Sequence, residues 1–212
     1  MQKVITVAHQ KGGVGKSTIA LNLAVELAKK HPLSIIDLDY QKSLTIFNEH
    51  RKEQGLPELT VLQAEDEKSL MQLIDNTEGY ILIDSGGFDS DLNRIALIGA
   101  DLIITPLSNN LIEIYGLEAF KKILQELKEA GFSTKAHVLL NSVNPSATKA
   151  IKEMQEYIAN NSEFFAIFKT IFRRRSLYAK SFEEGRSVVE IDPKSKAAQE
   201  VQGLMQEIET IV

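Results

Sequence analysis

The sequence predicts an α/β protein, a doubly wound and mostly parallel β-sheet flanked by helices. Three observations predict it. Apolar runs of strand length recur along the chain, separated by longer stretches with helical periodicity. Several of the runs are continuous rather than alternating, as in strands covered on both faces. Polar residues with chemical potential cluster at the carboxyl ends of these runs, where open parallel sheets bind their ligands. No Pro/Gly/Ser-rich linker and no internal repeat divides the 212 residues, so a single domain over 1–212 is expected.

Composition narrows the function classes. Hydrophobic residues are 43% and charged residues 25%, enough apolar material for a core without staples. The formal net charge of −5 disfavours coating nucleic acid by bulk charge, while leaving room for a local basic patch. Cysteine is absent, which excludes disulfides, thiolate metal sites and cysteine nucleophiles. No run approaches the ~20 apolar residues of a membrane span. The opening residues read as a strand rather than a signal peptide, so a cytoplasmic protein with no membrane partner is expected.

The elements follow in order. Residues 4–7 form the first strand, beginning so early that no N-terminal DNA-reading domain is expected. Then comes Gln10-Lys11-Gly12-Gly13-Val14-Gly15-Lys16-Ser17-Thr18, opening a helix over 17–30. A strand, a glycine-rich turn and a helix N-terminus in that order make a phosphate loop, and with it a P-loop NTPase fold. The glycines let backbone amides approach phosphate oxygens, and the helix end adds a positive dipole. Lys16 supplies a mobile charge for the β- and γ-phosphates, and the Ser17 hydroxyl can ligate Mg²⁺. The ordinary phosphate-loop pattern has Gly at position 10; here Gln10 and Lys11 precede the glycines.

The second strand, 33–37, ends in Asp37, with Asp39 two residues on. In extended chain that spacing points both carboxylates one way, where a cation would relieve their repulsion. A third strand is expected at 59–62. The fourth, 80–84, is apolar and ends in Asp84 before Ser85-Gly86-Gly87. Asp84 is placed to hold Mg²⁺ through water, and the glycines suit a loop that moves. Strands at 102–106, 138–141 and 164–168 alternate with helices over 117–130, 147–160 and 197–211. Asn141 closes the sixth strand; from the residues alone it reads equally as a turn or cap residue before Asn144-Pro145.

The run Lys11-Gly12-Gly13-Val14-Gly15-Lys16-Ser17-Thr18 resembles the deviant Walker A motif of ParA/MinD-type ATPases. The resemblance implies that Lys11 reaches across a homodimer interface to the partner's nucleotide. It makes Lys11, Gly12, Gly13, Val14, Gly15, Lys16, Ser17 and Thr18 the nucleotide cradle. The segment from Asp37 to Gln41 resembles the family's first switch, with Tyr40 replacing its usual proline. By that likeness Asp39 orients the attacking water and Asp37 supports the Mg²⁺ shell, beside Ser17 and Asp84 (the Walker B carboxylate). Lys11, Lys16 and Asp39 are then the catalytic set, and Asn141 becomes a candidate for adenine. No Asn/Thr-Lys-x-Asp guanine-reading sequence is present, which favours ATP.

Residues 164–181 hold five basic residues, Lys169, Arg173, Arg174, Arg175 and Lys180, and no acid. With Glu184-Gly185-Arg186 and Asp192-Pro193-Lys194-Ser195-Lys196, this part resembles the C-terminal region of small plasmid-partition ParA proteins. The likeness implies an ATP-bound dimer that binds non-specific DNA, slow hydrolysis stimulated by a centromere-binding ParB-like adaptor, and plasmid or chromosome partition. The last helix lacks the arginine some relatives use for DNA, so Arg173, Arg174 and Arg175 are the expected contacts. That helix ends with two acids and no base among its last eight residues, so it is expected to pack on the domain rather than on a membrane.

Overall fold

The computed structural model describes residues 2–108, 111–144 and 147–212, with the side chains of residues 111–113 left aside. Pro145, expected in a turn, lies outside the described residues.

Seven strands form one parallel sheet in the order β3-β2-β4-β1-β5-β6-β7. They are β1 (Lys3–Val7), β2 (Leu33–Asp37), β3 (Thr60–Leu62), β4 (Tyr80–Asp84), β5 (Leu102–Leu107), β6 (Ala136–Val143) and β7 (Phe165–Arg173). The chain winds outward from β1 in both directions, so the loop after β1 faces the point where strand order reverses. The helices are α1 (Lys16–Ala28), α2 (Ser43–Glu53), α3 (Glu67–Asn76), α4 (Asp91–Ile98), α5 (Leu111–Glu129), α6 (Thr148–Asn160), α7 (Ser176–Glu183), α8 (Val188–Ile191) and α9 (Lys196–Ile211).

Strand pleating sorts side chains between two helical layers. Ile5, Val7, Ile35 and Leu82 pack with α1, α2, α8 and α9 on one face. Val4, Ile36, Ile81 and Ile83 pack with α3 and α4 on the other, and Ile103, Val138 and Leu140 pack with α5 and α6. Helix α1 is buried around most of its circumference, from Ile19 to Leu27, so the helix that carries the phosphate loop is anchored in the core. Phe164, Phe165 and Phe168 are core residues, and α9 buries Ala197, Ala198, Val201, Leu204 and Ile208 against the sheet, both as expected.

Two boundaries depart from the expectation in ways that matter. Strand β7 runs to Arg173 instead of ending at 168, because carboxylates of α9 receive its edge: Glu207 accepts the Lys169 and Thr170 amides, and Glu200 accepts the Arg173 amide. Helix α5 begins at Leu111, six residues before the expected start, and so reaches the phosphate loop.

Candidate functional site

Register alone brings the acids together. In the parallel pairing, Val7 lies opposite Asp84 and Asp84 opposite Asp37, so the carboxyl ends of β1, β4 and β2 form one ledge. The phosphate loop sits over that ledge. Gly13 and Gly15 adopt φ of 78° and 95°, values that side chains resist. Gly15 is also the N-cap of α1, and a Cβ there would stand 2.3 Å from Asn141 Nδ2. Among the described residues no side chain caps α1, and no acid lies in its first turn, so its positive end favours an anion.

Lys16 is 5% exposed, and its Nζ donates to the Lys11 carbonyl at 3.4 Å. Burial lowers its pKa, while the charges of Asp84 and Asp39 pull it back. Asp84 is fully buried, and neither carboxyl oxygen has a hydrogen bond of normal geometry within the described residues. Desolvation pushes it up to about 8, against smaller pulls from the Ser17 hydroxyl and Lys16. A buried carboxyl with unmet acceptors, facing Ser17 and Lys16, fits a cation held mostly through water and phosphate. Among the described residues no cluster of three or more His, Asp or Glu side chains forms a metal cage of its own.

Asp37 is 2% exposed and already engaged. Its Oδ2 accepts from the Leu44 and Thr45 amides, both at 3.1 Å, and from Thr45 Oγ1 at 3.2 Å. Its Oδ1 accepts from the Asp39 amide at 3.3 Å. Burial raises its pKa while these bonds oppose the rise. Asp37 therefore ties the segment after β2 to the start of α2. Asp39 is half-buried, and its Oδ1 receives the Gln41 amide at 2.9 Å. Tyr40, beside it, is 91% exposed. The Ser85-Gly86-Gly87 loop after β4 is held from α4: Asn93 Oδ1 accepts the Gly86 amide at 3.2 Å, and Asn93 Nδ2 donates to the Phe88 carbonyl at 2.6 Å. Gly87 lies against the phosphate loop so closely that a Cβ would stand 3.0 Å from the Gly12 nitrogen.

The structure gives Asn141 a role beyond either reading of the sequence: its Nδ2 donates to the Val14 carbonyl at 2.7 Å, pinning the phosphate loop to β6. Beside it opens a cleft of about 220 Å³ bordered by Gly15, Thr18, Asn141, Arg173, Arg174 and Tyr178. The three arginines thus lie around the mouth of the phosphate loop, and they differ from one another. Arg175 is paired with Glu200 at 2.6 Å, and Tyr178 shares that carboxylate at 2.9 Å. Arg173 ends β7 half-buried, and Arg174 is exposed. The Glu200 partner stands 25 residues beyond Arg175, where no local pattern announces it. His9, behind the phosphate loop, was not singled out from sequence; a lone histidine carries no signal without its contacts.

The family of CobQ/CobB/MinD/ParA nucleotide binding domains matches residues 5–188. The chain belongs to this family. Among relatives, a maintenance of carboxysome distribution protein A from Halothiobacillus neapolitanus is 22% identical over 96% of this chain and 95% of its own length. The chromosome-partitioning ATPase Soj of Thermus thermophilus is 28% identical over 96% of this chain and 94% of its own. A solved ATP complex of McdA from Cyanothece superposes with a TM-score of 0.77 at 18% identity, covering 98% of this chain and 96% of the other. The seven-stranded sheet is the P-loop fold of the ParA/MinD family, whose members are ATPases of partition and positioning. Among the described residues no helix is long and apolar enough to cross a membrane.

Proposed function

We propose that this chain is an ATP hydrolase that works as a nucleotide-gated dimer, binds DNA non-specifically and drives plasmid or chromosome partition with a ParB-like adaptor. The observation that carries the reading is the meeting of Lys16, Ser17, Asp39 and the fully buried Asp84 carboxyl over one ledge of the sheet. In this reading the amides of residues 12–18 and the α1 N-terminus cradle the phosphates, and Lys16 neutralises charge at the β- and γ-positions. Ser17 and Asp84 hold Mg²⁺, which offsets the charge that builds on the phosphate oxygens. Asp39 orients the water from the exposed first switch, and Lys11 of the second subunit completes the site. Asn141 keeps the loop seated while the base occupies the cleft beside Arg173 and Arg174.

DNA contact is supported by a second, open cleft of about 460 Å³, where Arg174 and Lys196 stand beside Ser176 and Ser195 at the N-termini of α7 and α9. Two exposed cations and two helix ends suit a backbone phosphate. The test is DNA binding by the Asp39→Ala protein with ATP–Mg²⁺ and with ADP, at two salt concentrations. Salt-sensitive binding with ATP alone is expected. No binding in either state, with dimerisation intact, would move the reading to positioning of a protein cargo, which the full-length likeness to a carboxysome distribution protein favours as the second reading.

A further inference from the structure

His9 stands two residues beyond the end of β1 and two before Lys11, and is 1% exposed. Its ring lies against α5. Phe120 stacks on it, with centroids 6.3 Å apart and planes at 24°. One turn earlier, at Gly116, α5 comes so close that a Cβ there would stand 2.8 Å from His9 Cε1 and 3.8 Å from Lys11 Cβ. Nδ1 of the ring accepts the Lys11 amide at 3.0 Å. Nε2 is buried and has no partner among the described residues. Burial first, then the charges of Lys16 and Lys11, lower its pKa to about 4, so at neutral pH the proton sits on Nε2 and Nδ1 keeps its lone pair.

An imidazole in such a place is costly, because its second nitrogen loses water and gains nothing. An apolar ring would fill the same space without that cost. What only the imidazole supplies is the acceptor for Lys11. The carbonyl of the same residue accepts from Lys16 Nζ, so the Lys11 backbone is held from both sides. We propose that His9 is a positioning residue, fixing the backbone from which the Lys11 side chain is aimed across the dimer. This rests on the reading of Lys11 given above.

Three variants separate acceptor from filler. His9→Asn places a carbonyl oxygen near the present Nδ1, His9→Gln carries its amide farther out toward the Nε2 position, and His9→Leu has no acceptor. In ligand-free full-length protein, the Lys11 amide should exchange with solvent about tenfold faster in His9→Leu and His9→Gln, and within about threefold of wild type in His9→Asn. The kcat for ATP should follow the same order, with about a tenfold loss in the first two, while KM moves by less than about threefold. Tm should not fall in step with kcat, since the leucine removes an unpaired buried N–H. Unchanged exchange and kcat in His9→Leu overturn the proposal, as does a His9→Asn protein no better than His9→Leu. If the leucine variant does not fold, the Asn–Gln comparison decides alone. Lys11→Ala tells the two readings apart: wild-type turnover there removes the role of Lys11, whereas loss of turnover there with a normal His9→Leu removes only that of His9.

Discussion

Asp84 and His9 are buried in opposite senses, and together they set how the ligand-free protein should respond to pH. The folded Asp84 carboxyl keeps its proton up to about 8, whereas the same group in the unfolded chain releases it near 3.8. Between those values the folded state binds more protons, so its stability falls as pH rises. His9 works the other way: from 6.5 down to about 4 the unfolded imidazole takes a proton that the folded one refuses, so stability falls as pH drops. Above pH 6.5 the contribution of His9 is constant and that of Asp84 remains. Tm without nucleotide should therefore be higher at pH 6.5 than at pH 8. Asp84→Asn should flatten that difference, raise Tm at pH 8 and weaken Mg²⁺-dependent nucleotide binding. A wild-type Tm that is level or rising across the interval would show that Asp84 is already ionised. At the same scale, Lys16→Ala should abolish ATP binding in a calorimetric titration, because it removes the buried cation that this subunit's own loop sets against the β- and γ-phosphates.

Helix α2 is the element that joins the site to the rest of the fold. Asp37 receives its first amides, and Arg51 near its end is buried at 3% side-chain exposure. Arg51 forks onto Glu190 at 2.8 and 3.2 Å and donates to the Gly185 and Pro57 carbonyls. Burial alone would raise the Glu190 pKa, but the Arg51 bonds bring it below its ordinary value. Removing one partner of such a pair strands the other. Arg51→Ala should cost about 3–5 kcal/mol in a denaturant melt, and Arg51→Met combined with Glu190→Leu should recover much of it. A loss under about 1 kcal/mol for the single variant would mean that Glu190 finds water. Much of this level was legible in the sequence and some was not. The strands β1, β2 and β4 announced themselves because both faces are covered; β2 and β4 end on Asp37 and Asp84, and β1 leads into the phosphate loop. The extension of β7 was hidden because Lys169, Thr170 and Arg173 look like a polar exit until Glu207 and Glu200 of α9 are seen to receive their amides. Asn141 was legible as a strand-end amide, but its bond to the Val14 carbonyl spans 127 residues and no local pattern encodes it.

At the scale of the whole molecule, a protein of net charge −5 can hold DNA only through a local surface, and a dimer presents that surface twice. The three arginines should not contribute alike. Arg175 already shares Glu200 with Tyr178, so its charge is compensated within the fold. Arg174 is exposed, and Lys196 stands with it in the cleft at the starts of α7 and α9. For the ATP-loaded Asp39→Ala protein, the double variant Arg174→Ala with Lys196→Ala should lower the slope of log affinity against log salt by about 2 per subunit, with dimerisation unchanged. Arg175→Ala should instead lower Tm and leave the slope nearly intact, since it strips the charged partner from the part-buried Glu200 rather than removing a phosphate contact. The opposite pattern, a slope that follows Arg175 and ignores the pair, would mean that ATP breaks the Arg175–Glu200 bridge and turns that arginine outward. The nucleotide would then control DNA binding by releasing a charge the resting fold keeps paired, and not by doubling a patch that is already exposed.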